Sequence, residues 1–252
     1  ATINTAKCYG LKHLGAISPG FQADFVVLDN LQDLNVTDVF YKGKLVDRNA
    51  PIRVKTCGRA LKHTVHLDKV KAEQFVLPIG KKKTHVIGIN PSQITTEDLA
   101  VSLPPAANYV PTDGYSKVAA VERHHNTGKI GVAVAKGYGI RNGAVASSVS
   151  RDMALAVDEI IRTQGGYTVV ENGEVFETLP LPIMGLMSDA GFESVNETLG
   201  RMIKKAHEMG VPADIEPFIT LSFLALPVIP TLRITPRGLC LLTAKGPEIL
   251  QE

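Results

Sequence analysis

The chain has 252 residues, of which 44% are hydrophobic and 21% are charged, and its formal net charge is +2. These proportions are typical of a globular protein and exclude a disordered chain, a collagen and a coiled coil. The near balance of charge argues against a nucleic-acid partner. No apolar run reaches the roughly 20 residues of a membrane span, so a membrane is not predicted as a partner either.

Three cysteines, at positions 8, 57 and 240, are too few and too widely spaced for a disulfide framework or a zinc ribbon. Reduced thiols of this kind are typical of the cytoplasm. The first residues also lack the charged-then-apolar pattern of a secretory leader. The sequence therefore predicts a cytoplasmic protein.

The first fifty residues predict a small β-rich segment that opens with a helix. Apolar spacing and turn residues define its elements. They are a helix over residues 1–9, a strand over 25–28, and a hairpin whose strands, 36–41 and 44–46, flank Lys42-Gly43.

Residues 42–83 carry twelve Lys and Arg residues against three Asp and Glu residues. Such a segment is either an anion-binding patch or a solvated linker. The linker is favoured because the aromatic side chains on which single-strand binders stack bases are nearly absent here. A new strand is predicted directly afterwards, so we expect one domain over residues 1–80 and a second over residues 81–252.

Residues 81–252 mix predicted strands and helices, so the expected fold class is α+β or mixed α/β. Local signals place Asp152 at a helix N-cap, a hairpin turn at Asn172-Gly173 and a capping box at Ser194. Residues 218–226 are a buried helix or, on composition alone, a buried strand. The other predicted elements are strands 85–89, 118–121, 130–135 and 144–149, a helix over 153–164, hairpin strands 167–170 and 174–176, and a helix from Ser194 to Gly210.

The densest polar cluster is Glu122-Arg123-His124-His125, which follows a predicted strand. Polar groups at the end of a strand often line a site. These four side chains could supply a proton donor, an anion clamp and hydrogen-bonding groups. They could equally form a salt-bridged strand end beside a turn, and the residues alone leave both interpretations open.

Two other patterns argue against a cofactor in this chain. The glycine-rich loop 137–143 would need a helix N-terminus after it to hold a phosphate, but a strand is predicted over 144–149, which favours a plain hairpin. His63 and His66 have no carboxylate at the spacing of a helical zinc motif. The sequence therefore predicts no metal ligand and no cofactor-binding residue.

Two groups of motifs resemble known enzymes. Near its start, the chain resembles the point at which a member of the amidohydrolase superfamily leaves its (β/α)8 barrel and returns to a small β-domain. The residues that carry this likeness are Thr2-Ile3-Asn4-Thr5-Ala6, Gly15-x-Ile17, Gly20 and Ala23-Asp24-x-Val26. The second group resembles the C-terminal domain of the adenine deaminase family, through Glu122-Arg123-His124-His125-x-x-Gly128 and residues 136–139, 143–148, 181–188 and 221–230.

The resemblance implies a parent enzyme that converts adenine and water into hypoxanthine and ammonia in purine salvage. It also implies a divalent metal, manganese or iron, that activates the water in the parent. The barrel, with its paired His-x-His ligands and catalytic carboxylates, has no counterpart in the sequence. We therefore expect a C-terminal portion without the catalytic (β/α)8 barrel, inactive alone, in which a β-rich remnant of the β-domain precedes a mixed-sheet domain with helices.

The resemblance also implies partners and a site. The expected partners are the N-terminal barrel of the same protein, adenine in the parent enzyme, and further copies of the chain in a homo-oligomer. No cofactor is expected on the chain itself. Its contribution to the parent's active site is expected from Glu122, Arg123, His124 and His125.

Two alternatives stay open. The chain could be a purely structural oligomerisation or capping module, which its apolar segments 181–187 and 218–229 favour. The parent could also act on another cyclic amidine or amide. One departure from the family stands out, because its members carry a His-Asp-Ser-His-Asn-like stretch where Ser150 here runs directly into Arg151. A missing polar loop is therefore expected at this point.

Overall fold

A computed structural model describes residues 2–50, 58–112, 114–140 and 146–250. The chain divides into two compact units, residues 1–56 and residues 57–252. The boundary expected from composition lay later, at residue 80. Residues 58–80 instead belong to the second unit because Val70, Phe75 and Leu77 are buried in its core, while the lysines around them stay exposed.

The first unit contains a short helix and a three-stranded antiparallel sheet. Helix α1 (Ile3–Cys8) precedes strands β1 (Phe25–Leu28), β2 (Val36–Tyr41) and β3 (Lys44–Leu45), which pair in that order. The rings of Phe25 and Phe40 stack across the β1–β2 pair with their centroids 4.6 Å apart. These elements are the helix, strand and hairpin that the sequence predicts.

The second unit contains nine further described strands and three further described helices. A four-stranded sheet runs in the order β5-β4-β7-β6, in which β4 and β7 are parallel and the other pairs are antiparallel. A hairpin, β8–β9, and a three-stranded antiparallel sheet, β10-β11-β12, complete it. The elements are β4 (Thr84–Ile89), β5 (Thr96–Val101), β6 (Tyr115–Val121), β7 (Ile130–Lys136), α2 (Ala146–Thr163), β8 (Gly166–Glu171), β9 (Glu174–Pro180), α3 (Phe192–Glu208), α4 (Pro217–Leu224), β10 (Leu232–Thr235), β11 (Gly238–Thr243) and β12 (Gly246–Ile249).

Other parts of the unit cover both faces of the four-stranded sheet. Successive side chains of a strand point to opposite faces, so neighbouring residues of β4 pack in different clusters. Ile87 packs on one face against β10 and β11, in a cluster with Leu232 and Leu239. Its neighbour Val86 packs on the other face against the loop residues Leu77 and Tyr109. The expected mixed fold is confirmed, and the described residues contain no (β/α)8 barrel.

Helix α2 corrects two predictions. The strand predicted over 144–149 is wrong, because α2 begins at Ala146; residues 141–145 lie outside the described part of the chain. Val149 and Met153 lie one turn apart on its inner face, so an apolar run that resembles a strand is the first turn of an amphipathic helix. Asp152 is therefore not an N-cap: it is buried within α2, where its carboxylate accepts the N–H of Gly173 at 2.7 Å.

The loop expected to be missing after Ser150 leaves no break in the helix. Ser150 and Arg151 are successive residues of α2, and Ser150 is buried.

Helices α3 and α4 follow their apolar patterns more closely than their capping signals. Helix α3 starts two residues before Ser194, at an N-cap Gly191 that forms no side-chain cap, so the predicted capping box is wrong. Its apolar stripe and its end at Met209 are confirmed. Helix α4 settles the ambiguity of residues 218–226, and the Glu216 carboxylate caps it by accepting the N–H of Ile219.

No helix in the described parts of the chain combines the length and the apolar character that a membrane span requires.

Candidate functional site

The predicted cluster lies in the loop that joins β6 to β7, and the carboxylate of Glu122 organises this loop. It accepts the backbone N–H groups of His124 at 2.6 Å, of His125 at 3.1 Å and of Thr127 at 3.3 Å. The Thr127 hydroxyl donates to it as well. The loop is thus folded around one side chain of its own first residue.

These donors change the acidity of Glu122. Partial desolvation raises the pKa of the carboxyl, but the N–H groups of His124 and His125, together with the contacts of Thr127, outweigh it and lower the pKa to about 2. A carboxylate that stays ionised and fully engaged is a poor general acid near neutral pH. The Glu122 carboxylate is thus engaged by the backbone N–H groups of its own loop.

Arg123 connects the loop to two other segments of the same unit. Its guanidinium donates to the Met184 carbonyl at 3.3 Å, and its own carbonyl accepts the N–H of His66 at 2.7 Å. A Cβ on Gly185 would lie 2.1 Å from the Arg123 guanidinium, so a larger residue at this position would displace the guanidinium. Arg123 also lines a cavity of about 590 Å³ beside β6.

His124 and His125 are the two members of the cluster that face solvent. Both are exposed, and their ring centroids are 6.3 Å apart. Neither imidazole forms a hydrogen bond with another described residue. The four predicted residues therefore divide into two that build the loop and two whose side chains are available to a ligand or a partner.

Two interactions that support the site were missed in the sequence. Asn126 and Asp68 form a reciprocal pair: the Asn126 amide donates to the Asp68 carboxylate at 2.8 Å, and the Asp68 N–H donates to the Asn126 oxygen at 3.0 Å. A pairing across 58 residues has no local sequence signal. It fixes the tip of the loop against the segment that contains His66.

The second missed feature is a buried amine on β6. Lys117 is 8% exposed, and its Nζ donates to the Asn108 side-chain oxygen at 2.7 Å and to the Phe75 carbonyl at 3.2 Å. Burial lowers its pKa to about 8. A lysine in the middle of the apolar run of β6 was the available signal.

The glycine-rich loop lies at the other end of β7 from the cluster. The two ends of β7 are separated by its seven residues, which corresponds to about 20 Å. A Cβ on Gly139 would lie 2.2 Å from the Gly210 carbonyl oxygen, so this glycine allows two backbone segments to touch.

The described residues do not fit a catalytic metal. No group of three or more His, Cys, Asp and Glu side chains among residues 2–50, 58–112, 114–140 and 146–250 could hold an ion. A hydrolytic metal centre needs several such ligands converging on one point. No step of a reaction is therefore assigned to a metal held by this part of the chain.

Comparison with known proteins agrees with both groups of motifs. Residues 93–245 match the adenine deaminase C-terminal domain, and residues 1–46 match the amidohydrolase family. The chain is 47% identical to an adenine deaminase of Desulfitobacterium hafniense, over 95% of this chain and 44% of the relative. It is 42% identical to an adenine deaminase of Nitratidesulfovibrio vulgaris and 39% identical to an adenine deaminase 2 of Carboxydothermus hydrogenoformans, in each case over 95% of this chain and 45% of the relative.

The chain thus spans less than half the length of the curated relatives it matches. The matched domain covers more than half of the chain and includes the β6–β7 loop and helices α2 to α4. The expected resemblance is confirmed, and the chain belongs to the adenine deaminase C-terminal domain family.

Proposed function

We propose that this chain is the C-terminal part of an adenine deaminase, a hydrolase that converts adenine and water into hypoxanthine and ammonia. The observation that carries the proposal is its 47% identity, over 95% of its length, to a protein named adenine deaminase. The same relation supports a cytoplasmic enzyme of purine salvage as the parent.

The chemical step belongs to the parent's other part. The described residues contain neither a (β/α)8 barrel nor a group of metal-binding side chains, whereas residues 1–46 match the amidohydrolase family. We infer that an amidohydrolase barrel of the same protein is the partner of this chain and holds a divalent metal, manganese or iron, which supplies the activation of water. This chain alone is expected to be inactive.

Within this chain, His124 and His125 are the proposed contribution to the active site. Neutral imidazole offers one donor and one acceptor near neutral pH, which suits the ring nitrogens and the amine of a purine. Glu122 and Arg123 hold the loop that presents the two rings, through the contacts to Thr127 and Met184. They are positioning residues in this proposal.

A chimera tests the proposal directly. This chain replaces the matched 44% of the Desulfitobacterium hafniense relative, and ammonia release from adenine, adenosine and guanine is measured. We expect adenine to be the preferred substrate. A folded chimera that prefers another substrate or releases no ammonia from adenine contradicts the assignment.

The role of the loop is tested in the same chimera. The double variant His124→Ala/His125→Ala is expected to lower kcat/KM for adenine at least tenfold, and Lys129→Ala, an exposed residue of the same loop, is the matched control. Unchanged kcat/KM in a folded double variant would remove the two histidines from the site.

A structural role is the second candidate, because two segments expose large apolar side chains. Leu186 and Met187 are 68% and 51% exposed, and Val228 beyond α4 is 76% exposed. Such surfaces favour a module that caps the barrel or joins copies in a homo-oligomer. Light scattering of the 252-residue chain, with Leu186→Ser and Val228→Ser for comparison, would detect self-association through these segments.

A further inference from the structure

Residues 65–70 run beside the β6–β7 loop and are fixed to the core at both ends. Val65 and Val70 are 5% and 8% exposed. The backbone of Val65 also shares two hydrogen bonds with the side chain of Gln164, which follows α2: its N–H donates to Oε1 at 3.3 Å, and its carbonyl accepts from Nε2 at 3.4 Å. We call residues 65–70 the support segment, because its position is set by the core and not by the loop.

The support segment contacts the loop at two points. The first is Arg123, whose carbonyl accepts the N–H of His66 at 2.7 Å. The second is Asn126, whose amide donates to the Asp68 carboxylate at 2.8 Å and whose oxygen accepts the Asp68 N–H at 3.0 Å. These contacts flank residues 124–125 in the sequence. The backbone of both candidate histidines is therefore held between two points of one fixed segment.

The backbone conformation of Asn126 suits this contact. Its φ is +50°, which lies in the left-handed region. Asparagine adopts this region more readily than most residues other than glycine. Asn126 therefore turns the chain directly after His125 and, through its side chain, ties the turn to Asp68.

The contacts of Asp68 differ in kind from those of Glu122. The Glu122 carboxylate accepts backbone N–H groups of its own loop, so it fixes the loop to the end of its own strand. The pair of Asp68 and Asn126 joins the loop to a segment 58 residues away in the sequence. A loop held only at its base can still swing as a unit, whereas a second contact outside the loop defines its orientation.

The pair of Asp68 and Asn126 has no role in the core. Both residues are exposed, and hydrogen bonds that compete with water contribute little to the free energy of unfolding. Losing the pair should therefore leave the global fold intact and act on the loop alone.

We propose that Asp68 and Asn126 are positioning residues of the candidate site, which set the orientation in which His124 and His125 meet the substrate. The inference rests on the proposed function for the role of the two histidines. Neither Asp68 nor Asn126 touches the substrate in this proposal, because both act through the loop.

The ordering of the loop is tested in the 252-residue chain without any measurement of activity. Asp68→Ala removes the acceptor of the Asn126 amide. Amide exchange of His124 and His125 should become at least threefold faster and their imidazole NMR resonances should shift, while the urea midpoint of unfolding stays the same. The matched control is Glu73→Ala, an exposed carboxylate close to the support segment, which should change none of these observables.

Exchanging the two residues tests the effect on the reaction. Asn126→Asp places a second carboxylate against Asp68, and the two like charges repel at this distance. The double variant Asp68→Asn/Asn126→Asp again pairs one amide with one carboxylate, and the backbone N–H of residue 68 keeps an acceptor at position 126. In the chimera with the Desulfitobacterium hafniense relative, kcat/KM for adenine should fall at least fivefold in Asn126→Asp.

The double variant should return kcat/KM to within twofold of the unchanged chimera. Both variants carry a carboxylate at position 126, next to His125, so its presence there does not by itself explain a recovery. Recovery therefore reports the pairing of residues 68 and 126, which a merely structural role of either residue would not require.

Three results would overturn the proposal. They are unchanged exchange and imidazole resonances in Asp68→Ala, a loss of kcat/KM in Asn126→Asp that the double variant does not restore, and equal kcat/KM in Asp68→Ala and Glu73→Ala. If the chimera releases no ammonia, or keeps its activity without the imidazoles of His124 and His125, the proposed function fails first. The exchange rates then show separately whether the pair orients the loop.

Discussion

Two regions of the second unit bury backbone polar groups and treat them differently. At the junction of β5 and β10, Arg233 is fully buried and its guanidinium donates to four carbonyls, those of Ile94, Phe223, Ile229 and Pro230. The nearby Thr96 hydroxyl donates to the Leu232 carbonyl at 2.7 Å. Each of these five carbonyls therefore accepts a hydrogen bond from a buried side chain, either Arg233 or Thr96.

The edge of β6 shows the opposite arrangement. The backbone groups of Ala119 and Val121 that point away from β7 have no partner among the described residues, and the side chains around them are apolar or engaged elsewhere. At the β5–β10 junction, polar side chains donate to the backbone carbonyls. At the edge of β6, no described side chain does so.

Replacing Arg233 breaks the closed side of the comparison and has the largest expected effect. Arg233→Leu removes a fully buried guanidinium and the donor of four carbonyls, so unfolding in urea should become easier by at least about 3 kcal/mol. Arg233→Lys, which keeps one charge but not the planar set of donors, should lose less and remain measurable if the leucine variant does not fold.

The matched control is Arg162→Leu. Arg162 is 68% exposed and forms an exposed ion pair with Glu159, its one partner in the described part of the chain, so its loss should cost less than about 1 kcal/mol. If Arg233→Leu costs no more than this control, the four carbonyls do not depend on the guanidinium.

Lys117, a buried residue of β6, should make the free energy of unfolding depend on pH. Burial lowers its pKa in the folded chain to about 8, against an unfolded value of 10.5. Between these values the unfolded chain binds more protons, so raising the pH should favour the folded chain. The stability difference between the wild type and Lys117→Met should therefore move towards the wild type from pH 8 to pH 10.5.

Urea unfolding of both proteins at pH 7, 8.5 and 10 measures this effect, and subtracting the variant removes the titration of other groups. Lys136→Met, on the neighbouring strand and exposed, is the control and should show no such trend. A constant difference between wild type and Lys117→Met would mean that the amine keeps its ordinary pKa in the fold.

Local patterns predicted much of this fold because their causes are local. The turns at Lys42-Gly43 and Asn172-Gly173 require backbone angles that glycine adopts easily, and both hairpins form. The start of α2 could not be predicted in the same way. Its apolar residues suit a strand equally well, and packing of Val149 and Met153 against the sheet decides for a helix.

The candidate site residues stay a prediction, but the structure shows how their loop is built. The sequence places Glu122 to His125 together after a strand. Only the folded loop shows that the Glu122 carboxylate accepts hydrogen bonds from backbone N–H groups, whereas the two histidine side chains are exposed. The contact of Arg233 with Ile94 spans 139 residues and that of Lys117 with Phe75 spans 42, so neither contact has a local sequence signal. Contacts of this kind exist only after folding.

Replacing Glu122, in the loop that follows β6, has the smallest expected effect. In the folded chain its pKa is about 2, below the ordinary value of 4.5, so its stabilisation of the loop is complete above pH 4.5 and is lost as the pH falls towards 2. Glu122→Gln keeps an acceptor but removes the charge. It should speed amide exchange at His124, His125 and Thr127 severalfold while global unfolding barely changes.

Exchange of these three amides, measured by NMR in the wild type from pH 5 to pH 2.5 and corrected for intrinsic rates, should approach that of the variant as Glu122 takes up its proton. Glu97→Gln, an exposed carboxylate of β5, is the control and should leave the three amides unchanged. Equal exchange in wild type and Glu122→Gln at pH 5 would show that the loop holds its shape without the carboxylate. His124 and His125 would then be positioned by the ends of β6 and β7 and by the pair of Asp68 and Asn126. Unlike the β5–β10 junction, where Arg233 holds four carbonyls, the loop after β6 would not need the Glu122 side chain to fix its backbone.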